Sequence, residues 1–327
     1  METAVFNNLK VLFICAIVIT TFTAFAANTM AAGKKYAVFV GINDYPGTEN
    51  DLNGAVNDAQ NFKKLLTTKF RYPAANTTTL LDSAATRENI ISQIKAYGAL
   101  VGPGDILVFQ YSGHGTLFPD IYSDVIDETK KVSVDIPLQD GSRYQLPLDY
   151  YDSAIVPWDA DDKSSSRTWQ NLILDDELYD MFSKITAKGA TVVFISDSCH
   201  SGSVGKAQQR KFRYMPTERA LKIASVADLR KPDPSKQTKG SAPIFNNHYI
   251  VLTAARDDEV AWDGNESAIP GGLFTSSLIG VINSSKTPLT YSSLLSYVAP
   301  KMAGENQHPQ LDRRFGNVNA RLFEPIM

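Results

Sequence analysis

Two stretches built on the same plan constrain what this chain can fold into. Asp105-Ile-Leu-Val-Phe-Gln-Tyr-Ser-Gly-His-Gly115 and Thr191-Val-Val-Phe-Ile-Ser-Asp-Ser-Cys-His-Ser-Gly202 each open as a run of apolar β-formers and end in small, polar turn residues. Such a run, closed by a turn, suits a strand buried on both faces, as in a parallel sheet. His114 and Cys199 then each lie just past the carboxyl end of a buried strand, the edge of an open α/β sheet where ligands and chemistry collect. Together they form a candidate base and nucleophile. Ser112, Gly113 and Gly115 around the histidine, and Ser198, Ser201 and Gly202 around the cysteine, let a substrate backbone come close and free N–H groups to face it. Taken singly, a cysteine is commonly a small core hydrophobe and a histidine a structural residue. The shared setting of the two is what points to catalysis.

The rest of the chain supplies the sheet and its cover. Tyr36–Ile42 reads as a first buried strand and Asn53–Phe70 as a helix with Ala55, Ala59, Phe62 and Leu66 on one face. Thr77–Leu81 is a second strand. Thr86 caps a helix whose stripe is Ile90, Ile91, Ile94 and Val101, and Gly102-Pro-Gly104 stops it. Strand and helix in alternation predict an α/β fold with a mostly parallel central sheet flanked by helices on both faces. Further on, Asp175–Ile185 reads as a helix, His248–Ala255 as a strand, Gly272–Ile282 and Tyr291–Met302 as helices, and Asn319–Phe323 as a last short strand.

Two segments break the rhythm. Residues 116–171 are polar, with eleven Asp/Glu against four Lys/Arg between Asp120 and Lys163, and read as a long functional loop. Residues 204–243 carry the opposite charge, ten Lys/Arg against three acids from Lys206 to Lys239, with prolines at 216, 232 and 234. That composition reads as an exposed linker, open to proteolysis. The expected organisation is a large catalytic region at 33–203, a basic linker at 204–245 that the chain itself could cut, and a small region at 246–327.

A chain of 327 residues can bury a substantial core, and its net charge of −3 gives no sign of a nucleic-acid partner. Residues 1–32 have the pattern of an export signal: Lys10, an apolar segment from Val11 to Ile19, and small residues at Ala24, Ala26, Ala31 and Ala32. Cleavage near 26 or 32 would deliver a periplasmic or extracellular protein with no membrane contact; the alternative is a single uncleaved N-terminal anchor. After cleavage Cys199 is the only cysteine, so no internal disulfide forms and the thiol stands as a reactive candidate.

Four motifs in combination resemble the metacaspase branch of the caspase-like cysteine peptidases, in a bacterial-type, exported form: Val-Gly-Ile-Asn at 40–43, Leu-Asn-Gly-Ala-Val-Asn-Asp at 52–58, Tyr-Ser-Gly-His-Gly at 111–115 and Asp-Ser-Cys-His-Ser-Gly at 197–202. Gly271-Gly-Leu-Phe-Thr275 and Gln307-His-Pro-Gln310 look like the smaller C-terminal subunit. The resemblance implies a caspase-like fold and hydrolysis of peptide bonds. It implies Cys199 as nucleophile and His114 as general acid and base in a dyad with no third member evident. It also implies the backbone N–H groups of Gly115 and Cys199 as an oxyanion hole. His200 is a rival base, but a neighbour on a strand end points the other way. Asp58, Asp197 and Ser112 match positions that line the pocket for the residue before the cut, and two carboxylates there select Arg or Lys in peptide or protein substrates. Read without the resemblance, Asp58 is a helix-start acid and Asp197 a turn residue. Many relatives carry a second cysteine where this chain has Ala55.

The resemblance implies no organic cofactor. It does imply calcium, with Asp152, Asp175 and Asp176 as matching oxygen ligands. Lys206 stands where a fourth acid is expected, which leaves calcium dependence open, and Asp175 and Asp176 equally suit helix capping. Two other functions fit the same strands: a silent caspase-like module that binds a peptide without cutting it, and a legumain- or clostripain-like peptidase. Cleavage after Asn would mark a legumain-like enzyme.

Overall fold

The computed structural model describes residues 33–119, 133–137, 143–147, 151–160, 171–199, 211–215, 248–256, 259–264, 271–312 and 316–325. The expected export signal at 1–32, most of the basic linker, His200 and Lys206 lie outside these residues.

In chain order the elements are β1 (Lys35–Gly41), α1 (Ala55–Thr68), β2 (Thr77–Leu81), α2 (Arg87–Leu100), β3 (Ile106–Ser112), β4 (Gly115–Pro119), β5 (Ser133–Pro137), β6 (Arg143–Pro147), β7 (Tyr151–Ile155) and β8 (Ile173–Leu174). There follow α3 (Asp175–Thr186), β9 (Thr191–Asp197), β10 (Lys211–Phe212), β11 (Tyr249–Thr253), β12 (Trp262–Asp263), α4 (Leu273–Ser284), α5 (Tyr291–Met302) and β13 (Gln310–Asp312). The central sheet has the order β13-β11-β9-β3-β1-β2. Its pairs are parallel except β11 with β13.

Strand alternation decides which residues face which helices. Tyr36, Val38 and Val40 of β1 join one apolar cluster with Ile90 and Ile94 of α2 and Leu178, Phe182 and Ile185 of α3. Ala37 and Phe39, pointing the other way, join a second cluster with Phe62 and Leu66 of α1, Phe274 and Leu278 of α4, and Leu294 and Val298 of α5. A sheet buried on both faces needs strands with long apolar runs. β3 and β9 supply them at 106–109 and 192–195, with polar residues among those that follow, and every residue of each strand is buried.

The helix boundaries follow local chemistry. Thr86 Oγ1 accepts from the Asn89 N–H at 3.3 Å to cap α2, as the sequence predicts. Three acids fill the first turn of α3, where the helix dipole favours them.

Two expectations need correction. Residues 116–171 are not one loop. They hold most of β4 and all of β7, which form a small antiparallel sheet with β8 just beyond, and β5 paired with β6 in a hairpin. Their acidity masked a pattern of short strands. Residues 319–323 form turns and an isolated bridge from Arg321 to Thr290, and the last strand is β13 at 310–312.

Candidate active site

The site forms at the carboxyl ends of β3 and β9. These strands are parallel neighbours, with Ser112 opposite Asp197 at their last paired position. His114 and Cys199 each lie two residues further on, at the same edge of the sheet, and both are buried. This edge adjoins the point where the chain, having added β2 on one side of β1, returns to add β3 on the other.

The histidine is held from several directions. Its backbone N–H donates to Tyr45 Oη at 2.9 Å, and the Tyr45 ring lies 4.8 Å from the imidazole, centroid to centroid. Nε2 meets the Asn50 carbonyl at 2.7 Å. A carbonyl only accepts, so Nε2 carries the ring proton and Nδ1 keeps its lone pair. Nδ1 is buried with no hydrogen-bond partner among the described residues. The orienting group that the sequence leaves unidentified is therefore a backbone carbonyl, which any residue type can supply.

Burial lowers His114 to about 4, with the Asn50 hydrogen bond opposing. Burial also pushes the Cys199 thiol up to about 12, with a hydrogen bond to the Ala261 backbone opposing. Both reacting groups are therefore neutral as the site stands.

A segment of the basic linker fills the space beside them. Lys211 is exposed and Phe212 half-buried, while Arg213, Tyr214 and Met215 are buried, so this part is not the open linker that its composition predicts. β10 pairs antiparallel with β12, Lys211 opposite Asp263 and Phe212 opposite Trp262. The Arg213 N–H donates to the Ala261 carbonyl at 2.9 Å. The Arg213 carbonyl accepts from the N–H groups of Gly115 at 2.9 Å and Cys199 at 3.2 Å. Beyond it, the Met215 N–H donates to the Gly115 carbonyl at 2.9 Å and Thr116 Oγ1 donates to the Met215 carbonyl at 2.8 Å.

The Arg213 side chain is 0% exposed and lies among three carboxylates. Its Nη2 is 2.6 Å from Asp58 Oδ2 and 3.0 Å from Asp263 Oδ1, and its Nη1 is 3.0 Å from Asp197 Oδ2. Nε reaches Asp263 Oδ1 at 3.2 Å and Nη1 the Asp197 carbonyl at 3.0 Å. Backbone donors brace the acids. The Gly272 N–H donates to both Asp58 oxygens, Thr275 donates to Asp197 Oδ2 through N–H and hydroxyl, and the N–H groups of Asn53 and Gly54 donate to Asp263. Gly272 must lack a side chain, since a Cβ there would lie 2.5 Å from Asp197 Oδ2 and 2.7 Å from the Arg213 Cζ. Burial, and then the negative charge of Asp197, raise Asp58 above the ordinary carboxylate range, while Arg213 opposes them.

Of the expected pocket residues, Asp58 and Asp197 meet at Arg213. Ser112 is buried at the same strand end, and its hydroxyl accepts from Gln110 Nε2 at 2.7 Å. Sequence reasoning missed Asp263, which sits in no recognisable motif, and it missed Arg213, whose charge was read only as composition.

The expected calcium ligands converge less. The β7–β8 register, Ala154 opposite Leu174, brings Asp152 and Asp176 to one edge. Asp175 Oδ1 is engaged by the Asp176 N–H at 3.1 Å, a capping contact, and the Asp152 side chain lies outside the described atoms. Among the described residues no three His, Cys, Asp or Glu side chains group to hold a metal ion, so no chemical step is derived through one.

The family model described as the caspase domain matches residues 34–317. Among curated proteins, the chain is 28% identical to Metacaspase-1 of Plasmodium falciparum over 80% of its own length and 37% of that protein. It is 28% identical to Metacaspase-5 of Trypanosoma cruzi over 88% of its length and 59% of that protein. It thus spans well under two thirds of these relatives. A crystal structure of a Geobacter sulfurreducens protein aligns with a TM-score of 0.62 at 24% identity, covering 90% of this chain and all of that one. Caspase-1 from Spodoptera frugiperda aligns with a TM-score of 0.51 at 13% identity, over 88% and 91% of the two chains. At those identities the two structures show a shared fold.

Proposed function

The chain belongs to the caspase-domain family, and from that premise we propose that it is a metacaspase-type cysteine endopeptidase that cuts after arginine or lysine. Its first substrate is its own Arg213–Tyr214 bond. One observation carries this reading: the Arg213 guanidinium among Asp58, Asp197 and Asp263 while its carbonyl accepts from Gly115 and Cys199. A residue is held there as a substrate would be, side chain in a charged pocket and carbonyl polarised by two N–H groups.

The chemistry follows from the neutral pair. The Cys199 thiol gives its proton to His114 Nδ1 as sulfur attacks the Arg213 carbonyl carbon. The negative charge that gathers on the carbonyl oxygen is met by the Gly115 and Cys199 N–H groups, the oxyanion hole in this reading. His114 then protonates the Tyr214 nitrogen, the C–N bond breaks, and Arg213 remains as a thioester on Cys199. Water, deprotonated by His114, hydrolyses it to the free Arg213 carboxylate and restores the thiol. The Asn50 carbonyl holds the ring throughout and steadies its transient positive charge.

A silent peptide-binding module would use the same contacts without turnover. A legumain-like preference for Asn is disfavoured, because three carboxylates around one side chain call for a cation. Export, and stimulation by calcium through Asp152, Asp175 and Asp176, complete the proposal.

Mass spectrometry of the purified chain after incubation tests the reading. We expect one fragment ending at Arg213 and one beginning at Tyr214, and turnover of a Phe-Arg-coumarylamide reporter. A chain that stays whole and leaves the reporter uncut would be the silent module.

A further inference from the structure

We propose that β4 carries a built binding site for the two residues after the cut. In this site an aromatic residue and then a bulky apolar one are the preferred occupants. The inference rests on the peptidase reading above and extends it to the leaving side of the substrate.

The contacts on that side are as complete as those before the cut. Tyr214 and Met215 are 8% and 6% exposed, close to complete burial. Gly115 uses both of its backbone groups on the segment: its N–H faces the Arg213 carbonyl, and its carbonyl takes the Met215 N–H. This is a parallel bridge, Gly115 against Tyr214. Thr116, itself 0% exposed, then holds the Met215 carbonyl through its hydroxyl. Residues before the cut lie antiparallel on β12 and residues after it lie parallel on β4, so the substrate is held as a strand on both sides.

In an extended strand, neighbouring side chains point to opposite sides. Tyr214 accordingly joins the apolar cluster of Cys199, Val260 and Ala261, and Met215 the cluster of Tyr45, Ala154 and Val156. Both side chains are buried within apolar clusters, so a charged residue at either position would give up its hydration on entering. The substrate class is therefore an extended protein segment of the form Phe-Arg followed by an aromatic residue and a large apolar one. A substrate with no residues after the cut would keep the Gly115 N–H on its carbonyl but forgo the contacts to the Gly115 carbonyl and the Thr116 hydroxyl.

The test uses the full chain after it has been incubated to completion. Two internally quenched peptides are compared, one with Tyr-Met after Phe-Arg and one with Asp-Glu there, beside the Phe-Arg-coumarylamide reporter, which has no residues after the cut. We expect kcat/KM for the Tyr-Met peptide to exceed that for the Asp-Glu peptide by about tenfold or more, the scale of burying one large apolar side chain. In Thr116→Val, kcat/KM for the Tyr-Met peptide should fall severalfold further than for the reporter, the size of one lost hydrogen bond. Reporter turnover with equal rates on the two peptides, or an equal loss on peptide and reporter in Thr116→Val, would overturn the β4 site alone. Failure to turn over any of the three would overturn it together with the peptidase reading.

Discussion

The two walls of the site are made in different ways. The reacting wall is backbone-built. His114, Gly115 and Cys199 follow directly on paired strands, and their positions are fixed by a ladder that runs the length of β3 and β9. The binding wall is built from charge. Asp58 comes from the first turn of α1, Asp197 from the end of β9 and Asp263 from β12; Gly272 and Thr275 at the start of α4 brace the first two, and the N–H groups of Asn53 and Gly54 the third. The reacting wall is neutral, with burial holding Cys199 as a thiol and His114 as an imidazole. The binding wall sets three carboxylates against one guanidinium. In the proposed reading, charge is thus kept on the side chain that identifies the substrate and away from the atoms that react. A buried negative cluster of this kind is costly to leave without a cation, since removing one partner leaves charge uncompensated.

The largest expected effect separates the walls. Cys199→Ala should stop both self-cleavage and reporter turnover, a loss of at least about 10⁴-fold. It should leave Arg213 seated and the thermal midpoint within a few degrees of the parent. Residual self-cleavage at Arg213 in that variant would mean that the reacting wall has been misidentified. Next in size is Asp263→Asn, which keeps the shape and removes one charge. Both the Nε and Nη2 contacts of Arg213 run to Asp263 Oδ1. Only arginine has an Nε, so kcat/KM for an Arg reporter should fall about 10²-fold, in the range for spoiling a buried charge pair, and fall less for a Lys reporter. Equal losses would show that Asp263 supplies charge without reading the guanidinium's shape.

The same division explains what could be read from the sequence. Strands buried on both faces need long apolar runs, so β1, β3 and β9 announce themselves, and the residues just past them become candidates by position. The central sheet and its covering helices were legible for that reason. The acidic 116–171 stretch was not, because its strands are short and its eleven acids between Asp120 and Lys163 read as loop composition. In the binding wall, Asp58 and Asp197 came from motifs, but Asp263 lies on a two-residue strand, too short for any period to mark. Arg213 was one of ten basic residues in its segment, and nothing local to it in the sequence marks it out from the nine others. Its partners come from residues 58, 197 and 263, and that pattern exists only once the chain is folded. The Asn50 carbonyl behind His114 is a backbone group and has no sequence signal at all.

The smallest expected effect asks whether the reacting wall stays neutral once the segment leaves. In the intact chain burial lowers His114 to about 4. A lowered pKa means that the imidazole keeps its lone pair to lower pH, so self-cleavage should hold its rate as pH falls from 7 to about 5, passing the ordinary imidazole value of about 6.5 without a break. After the cut, release of Tyr214 and Met215 admits water to the edge of the sheet and removes part of the desolvation that caused the shift. The pKa of His114 should then rise toward its ordinary value, and the acid limb of kcat/KM for the reporter, which reports the free enzyme, should move up with it. The check is a pair of pH profiles on one preparation: the first-order rate of Arg213–Tyr214 cleavage in the whole chain, and reporter kcat/KM after completion. We expect the second limb about one to two pH units above the first, a large part of the span of about 2.5 between the shifted and ordinary values. Coincident limbs near 6.5 would mean that water already reaches His114 with Arg213 in place, and the contrast between a dry reacting wall and a charged binding wall would not hold.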